Sequence, residues 1–359
     1  MKINIKISHS KILYIFFTIL SLILYFFSTV NLNAKAFNIN NIEISKPFEI
    51  KFDKNEVIND GFKRAFFELI FSIVKSTDQV KVDDVKLNEI KGMIESFTVK
   101  EEKFIDNVYY VSLGVSFNKK KIFYFLEKKN IFPSALKKKK FLFIPIIIDE
   151  KEDNLLVFSK NKIFENWNRS NETFHLIDYI LLTEDLEDIN LIQSKYEFIE
   201  EYDFKEITDK YFLNDSIIAL FFKSKNDVRV LSRIKIKDDI NIKNQSFSNI
   251  DLNNNEDSIK IVNNLKIIYE DYWKNMNQIN TSIKLSISIK ANNYDNSKII
   301  NFEKVLDKTD LIYNYTISKF DKDFIYYQII FNGTPDIFLK NMSENKLFFD
   351  TQNKVWSLK

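Results

Sequence analysis

The residues of this sequence best suited to chemistry are four carboxylates within a five-residue run, Glu184, Asp185, Glu187 and Asp188. They follow a predicted strand at Leu176–Leu182. Ligands of open α/β sheets bind beyond the carboxyl ends of the strands, and carboxylates placed there can hold Ca²⁺ or Mg²⁺ or act as an acid/base pair. We therefore predict a divalent-cation site at these residues. The alternative is structural: one of the two aspartates caps the next helix, whose dipole favours acids in its first turn.

Other side chains that commonly do chemistry are scarce. The histidines are His9, in the leader, and His175, which begins the predicted strand and is interpreted as an ordinary strand-edge residue. The absence of cysteine excludes disulfides, thiolate metal sites and a cysteine nucleophile. The four glycines lie too far apart for a dinucleotide or phosphate-binding loop, so no cofactor is predicted.

A basic stretch at Lys119–Lys140 is a candidate for contact with anionic lipid. Glu127 is its only acid, and its lysines are Lys119, Lys120, Lys121, Lys128, Lys129, Lys137, Lys138, Lys139 and Lys140. Such a cluster can meet anionic headgroups of a membrane or acidic polymers of the envelope. The alternative is a solvated face without a partner.

The N-terminal residues 1–36 are predicted to direct export. Three lysines precede the uncharged apolar run Ile12–Val30, and Ala34 and Ala36 have the small-x-small spacing of a signal peptidase site, with cleavage after Ala36. The run is also nearly long enough to remain as an uncleaved membrane anchor. Both alternatives place residues 37–359 on the outer side of the inner membrane, either free in the periplasm or held at that membrane.

Charge argues against nucleic acid as a partner. The whole chain carries 52 basic and 50 acidic side chains, and loss of residues 1–36 removes four lysines and no acid. The exported body then has a formal charge of −2, whereas nucleic-acid-binding domains are usually basic.

The first region, residues 37–136, is predicted to be an α+β domain, because its apolar residues alternate in some segments and recur at helical spacing in others. Asp53 or Asn55 is expected to cap the first helix, and Asp106-Asn107 to form a hairpin turn. The predicted strands are Phe37–Ile44, Phe48–Phe52, Phe97–Phe104 and Val108–Phe117, and the predicted helices are Glu56–Lys75, Leu87–Glu95 and Lys119–Lys129.

The second region, residues 137–240, is predicted to be an α/β domain with a parallel or mixed sheet. Phe141–Ile148 is a continuous apolar run, typical of a strand buried on both faces, and Pro145 within it indicates a bulge or an edge position. Further strands are predicted at Leu176–Leu182, Ile217–Phe222 and Val228–Ile236, with helices at Lys162–Arg169, Ile189–Lys195 and Phe204–Phe212. The Asn-rich residues 241–256 are predicted to be a polar linker.

The third region, residues 257–359, is predicted to be an α+β domain that opens with a long helix, Asp257–Asn275. The elements after it follow the order βαββαβ, which is ferredoxin-like. They are Ile283–Ile289, Lys298–Leu306, Leu311–Ser318, Phe324–Phe331, Pro335–Met342 and Lys346–Phe349. The fold class is thus a multidomain α+β and α/β protein with mixed sheets and packed helices.

Residues 39–222 resemble the bacterial envelope proteins grouped as domain of unknown function 2066. The resemblance rests on the order and spacing of several motifs. They are Gly61-Phe62-Lys63-Arg64-Ala65, residues 90–97 (IKGMIESF) with Glu102, residues 110–117 (YVSLGVSF), residues 126–131 (LEKKNI), residues 141–145 (FLFIP), Trp167 and residues 182–188 (LTEDLED). Relatives tend to have Gly where Thr183-Glu184 stands and an Ala-rich first helix. The resemblance implies export and an α/β body, and it implies no activity.

These observations lead to two expectations about function. The first is a non-enzymatic protein of the cell envelope that works by binding a partner, an envelope protein. The alternative is a cation-dependent enzyme or small-ligand binder that uses the acidic run at residues 184–188. A pocket with converging polar groups at that run would favour the alternative, and an exposed apolar patch would favour the interaction protein.

Overall fold

The computed structural model describes residues 36–169 and 175–359, which form three β-sheets with helices packed on them. This confirms the predicted mixed α/β class. Residues 1–35 of the predicted leader, with Ile12–Val30 and Ala34, lie outside the described residues, and Ala36 is the first residue of the first strand. No helix within the described ranges is both long and apolar enough to cross a bilayer.

The first sheet is antiparallel, with its third strand in the middle, in the order β1-β3-β2. Its elements are β1 (Ala36–Pro47), α1 (Lys54–Ile73), α2 (Ser76–Gln79), a 3₁₀ turn (Val80–Val82), α3 (Leu87–Met93), β2 (Ile94–Ile105), β3 (Val108–Asn118) and α4 (Lys119–Lys128). Asp53 caps α1 by accepting from the N–H of Asn55 at 2.8 Å. Asp106 and Asn107 both have positive φ, as the predicted hairpin turn requires. The predicted strand at Phe48–Phe52 is instead a loop between β1 and α1.

The second sheet is mixed and surrounds the buried strand β4 (Lys139–Asp149). The remaining strands are β5 (Asn154–Leu156), β6 (Ile177–Leu181), β7 (Ser216–Lys223), β8 (Asp227–Ile236) and β9 (Asp239–Ser248). The helices are α5 (Lys162–Trp167), α6 (Leu186–Ser194), α7 (Lys205–Lys210) and α8 (Asn255–Met276), with 3₁₀ turns at Phe158–Lys160 and Tyr196–Phe198. On one side β4 runs parallel to β7, and on the other it pairs with β6 and then with β5.

Pro145 lies in the centre of this sheet rather than at an edge. On the side away from β7, pairing with β6 ends at Phe143 and pairing with β5 begins at Ile147. Pro145 occupies the gap, where its carbonyl accepts a hydrogen bond of 3.0 Å from the side-chain amide of buried Asn161. Proline has no backbone N–H to donate. The strand interior tolerates it here because no strand pairs with Pro145 on that side.

The prediction of a linker at residues 241–256 is wrong for its first half, because β9 occupies residues 241–248. β9 pairs with β8 along its whole length. Its isoleucines, Ile240 and Ile242, are exposed, whereas the alternate positions Asn241 and Lys243 are the less exposed ones. This inverts the apolar-in, polar-out alternation by which a half-buried strand is recognised in a sequence.

The helix α8, which the sequence analysis grouped with residues 257–359, packs on the second sheet. Its apolar stripe belongs to the same core cluster as β4 and β7. The Trp273 ring meets Phe141 edge-on at 5.9 Å, and the Tyr269 hydroxyl is 2.7 Å from the Ser232 hydroxyl.

The third sheet has the order β11-β12-β10-β14-β13. Its elements are β10 (Leu285–Asn292), α9 (Asn296–Lys308), β11 (Ile312–Phe320), β12 (Phe324–Phe331), α10 (Pro335–Glu344), β13 (Phe349–Asp350) and β14 (Trp356–Leu358). The order βαββαβ is confirmed as far as β13. The added strand β14 lies parallel to β10 and separates β13 from it.

Candidate functional site

The predicted acidic cluster surrounds a lysine. Asp185 caps α6 by accepting from the N–H of Glu187 at 3.0 Å. Asp188 is buried, and its carboxylate lies 2.6 Å from the Nζ of Lys210 at the end of α7. The same Nζ is 3.8 Å from a carboxylate oxygen of Asp185 and 3.7 Å from one of Glu187. The hydrogen bond to Asp188 raises the pKa of Lys210.

The fourth carboxylate, Glu184, points elsewhere and accepts from the Ser159 hydroxyl at 3.1 Å. Within residues 36–169 and 175–359, no group of three or more acidic or histidine side chains is arranged to hold a metal ion. A divalent cation at the cluster would have to displace the ammonium of Lys210. The geometry therefore favours the structural interpretation of a helix cap and an ion-paired acid over a metal site.

We expect neither Ca²⁺ nor Mg²⁺ to raise the melting temperature of the native protein, because Lys210 already supplies the positive charge. In Lys210→Met the carboxylates lose this charge, so the melting temperature should fall and Ca²⁺ should recover part of the loss. Calorimetric titration and thermal melts of both proteins measure this, with Lys205→Met on the exposed face of α7 as control. Heat and stabilisation of the native protein by either ion would restore the metal-site hypothesis.

His175 lies just before β6, as predicted. Its imidazole lies near the carboxylate of Glu270, which is not among the site residues predicted from the sequence. Glu270 on α8 is buried and accepts from the backbone N–H groups of Leu176 at 3.0 Å and Ile177 at 2.8 Å. The Nδ1 of His175 is 3.6 Å from the same carboxylate. Because both oxygens of Glu270 bind backbone, its evident role is to fasten the start of β6 to α8.

Most lysines of the basic stretch contact other residues of the same chain. Lys119 is buried in an ion pair with Asp310 of the third region, and burial lowers its pKa. Other contacts of the stretch are Lys120 to Asn314, Lys121 to the carbonyl of Gly92, Lys128 to the ring of Tyr124, Lys129 to Asp84 and Lys139 to Asp215. These contacts favour a structural role for most of the cluster, and binding of anionic lipid stays a prediction.

The most exposed apolar surface of the first region lies at the hairpin end of its sheet. We call it the aromatic tip and define it as Phe48, Ile50, Phe104, Ile105 and Tyr110, all of which are exposed. The Phe48 ring meets Phe104 edge-on at 4.7 Å, and the N–H of Phe48 donates to the carbonyl of Asn107 in the hairpin turn. Ile105 and Tyr110 lie on the other face of the hairpin, because Phe104 pairs with Tyr109 and Ile105 with Val108. Exposed apolar groups of this kind mark interaction surfaces in soluble domains.

The aromatic tip is attached to the core of the first region by an aromatic ladder. The ring of Phe52 lies 4.9 Å from Phe48 and 5.1 Å from Tyr109, which is buried. The sequence signal was the alternation of Phe48, Ile50 and Phe52. That pattern predicts a strand, whereas the structure has a loop in which Phe48 and Ile50 are exposed.

Ion pairs make the surroundings of the aromatic tip nearly neutral. Lys46 binds Asp60 at 2.6 Å, Lys54 binds Glu102 at 2.7 Å, and Lys103 is paired within its own strand. The tip also lies at the far end of β1 from Ala36. A strand of 12 residues spans roughly 40 Å, so the tip is well separated from the end of β1 that would follow the predicted leader.

Comparisons with known proteins identify no relative. No protein-family model matches the chain, and no curated protein matches its sequence. The resemblance to domain of unknown function 2066 therefore remains a prediction from the motifs.

Proposed function

We propose that the chain is a non-enzymatic protein of the bacterial cell envelope that binds a partner protein through the aromatic tip. The observation that carries this proposal is the exposure of five large apolar side chains at the hairpin end of the first sheet, where the rings of Phe48 and Phe104 are in contact. Aromatic residues are enriched at the energetic centres of protein interfaces, where a rigid framework lowers the entropy lost on binding. The antiparallel sheet and the ring contacts to Tyr109 supply that framework.

A protein partner suits the aromatic tip better than a lipid surface does. Interfacial membrane binding usually combines apolar insertion with unpaired basic residues that attract anionic lipid. Lys46, Lys54 and Lys103 are paired with carboxylates instead, and the formal charge of Lys51 in the tip loop is offset by Glu49. The distance from the leader along β1 further separates the tip from the membrane that an uncleaved leader would occupy.

The test places a photo-crosslinking amino acid at position 50 of the full chain in a Gram-negative host. We expect a protein adduct at Ile50 and none at Phe212, an exposed apolar residue remote in sequence from the tip. With the cross-linked partner purified, Phe104→Ser should weaken binding roughly 30-fold, the effect of losing an aromatic anchor worth about 2 kcal/mol. Adducts with lipid alone, or equal adducts at both positions, would contradict the proposal.

A further inference from the structure

The third sheet presents one of its faces to solvent. Helices α9 and α10 pack on the opposite face, where the core side chains of β10 and β12 lie. We call the solvent side the open face. It is formed by Ser286, Ser288, Lys290, Asn314, Thr316, Lys319, Phe324, Tyr326, Gln328 and Ile330. All of these side chains are at least partly exposed to solvent.

Strand pairing arranges the open face in rows of different chemistry. One row contains Thr316, Gln328 and Ser288, which lie opposite one another on adjacent strands. The Ser288 hydroxyl donates to the Gln328 side-chain carbonyl at 2.9 Å, and the Gln328 amide donates to the Ser286 hydroxyl at 2.6 Å. The row presents hydroxyl and amide groups that can exchange hydrogen bonds with a polar ligand.

The neighbouring row is basic and aromatic. Tyr326 lies between Lys290 on β10 and Lys319 on β11. The Nζ of Lys319 is 4.9 Å from the centre of the Tyr326 ring, and the Nζ of Lys290 is 4.8 Å from the centre of the Phe324 ring. Lys319 also lies 3.4 Å from Asp321, beside the face.

A further lysine reaches the edge of the open face from the first region. The Nζ of Lys120, at the start of α4, donates to the side-chain carbonyl of Asn314 on β11 at 2.7 Å. Lys120, Lys290 and Lys319 therefore bring positive charge to the face, which Asp321 partly offsets at Lys319. Along β12 the positions from Phe324 to Ile330 extend the face by roughly 20 Å.

We propose that the open face binds a strand of acidic polysaccharide. Aromatic rings supply flat apolar surfaces for sugar rings, the lysines pair with ligand carboxylates, and the serine, threonine and glutamine side chains bind sugar hydroxyls. A local basic face suits any polyanion, and the neighbouring row of hydroxyl and amide side chains favours one that is rich in hydroxyl groups. This surface differs from the aromatic tip, so the proposal goes beyond the proposed function.

The experiment is calorimetric titration of the full chain with oligogalacturonate at low salt. We expect binding that weakens as ionic strength rises, no binding of neutral dextran, and a loss in affinity of roughly tenfold or more in Lys290→Gln/Lys319→Gln. The matched control is Lys304→Gln/Lys340→Gln, which removes the same charge from exposed positions of α9 and α10. Thermal melts establish that both double variants are folded.

Three outcomes would overturn the proposal. They are absence of oligogalacturonate binding by the native chain, equal loss in the two double variants, and tighter binding of single-stranded oligo-dT than of the acidic sugar. Phe104→Ser should retain native affinity for the sugar, because the aromatic tip is a separate surface. A failure at the open face would thus leave the proposed protein interaction unaffected.

Discussion

Replacement of Asn161 by alanine is expected to lower the free energy of unfolding by about 3 kcal/mol. Asn161 is fully buried, and its side chain bonds both the second sheet and the start of α5. Its amide donates to the carbonyls of Pro145 at 3.0 Å and Leu156 at 3.3 Å, and its carbonyl accepts from the N–H groups of Ile163 and Phe164. Alanine would leave four buried backbone groups without these partners.

The loss of Asn161 should destabilise the protein strongly, because no neighbouring strand can supply the hydrogen bond to Pro145 in its place. The carbonyl of Pro145 lies in the gap between β6 and β5, so the side chain stands in for a strand at that point. Loss of the helix cap alone typically costs about 1 kcal/mol, and unpaired buried carbonyls add to that cost.

Urea denaturation followed by circular dichroism measures the prediction. Asn161→Asp separates the two roles, because a carboxylate still caps α5 but cannot donate to Pro145 and introduces a buried charge. We expect it to be at least as destabilising as alanine. Asn168→Ala, at an exposed position after the same helix, serves as the control. A loss below about 1 kcal/mol in Asn161→Ala would show that the gap in the sheet is satisfied in another way.

Local signals predicted most of the elements. The helical spacing of apolar residues in α1 and α8, the cap at Asp53 and the hairpin turn at Asp106-Asn107 depend on contacts within a few residues of the chain. Such contacts can be inferred from sequence, because they depend on the backbone preferences of the residues themselves.

Two very short strands were not predicted. The strands β5 and β14 have three residues each, too few to show a period. Sheet order is equally non-local: β14 reaches β10 across most of the third region. A two- or three-residue strand exists because its partner offers hydrogen bonds, and no property of the segment alone indicates it.

The character of the candidate sites depended on residues far away in the chain. The acidic run resembles a cation site until Lys210, 22 residues beyond Asp188, is placed among its carboxylates. The role of Glu270 similarly becomes visible only when α8 lies beside Leu176, 94 residues earlier. The aromatic tip was hidden because an alternating apolar pattern is the same for a buried strand and an exposed loop.

Replacement of Lys274 by methionine is expected to cost about 3 kcal/mol of unfolding free energy, because Lys274 connects α8 to the first region. It is buried, and its Nζ donates to the carbonyls of Phe71 at 2.5 Å and Val74 at 3.1 Å. These carbonyls lie at the end of α1, where helix carbonyls lack intrahelical partners, and both the charged and the neutral amine of Lys274 can donate to them. Beside it, Asp271 accepts from the N–H and hydroxyl of Ser76.

The measurement is urea denaturation of Lys274→Met and of Lys260→Met, which removes an exposed lysine from the same helix. Lys260 is paired with Asp257 at the surface, so its loss should change stability little. An equal effect of the two substitutions would refute the connecting role of Lys274.

The pH dependence of the stability difference between the native protein and Lys274→Met provides an independent test. Burial lowers the pKa of Lys274 below its ordinary value of 10.5, although Glu270 and Asp271 oppose the shift. Between the lowered value and 10.5 the unfolded chain binds more protons at this group than the native state, so the group's contribution to stability rises with pH. The native protein should therefore gain stability relative to Lys274→Met as pH approaches 10.5. A difference that shrinks over this window would mean that the charged form is favoured by the fold.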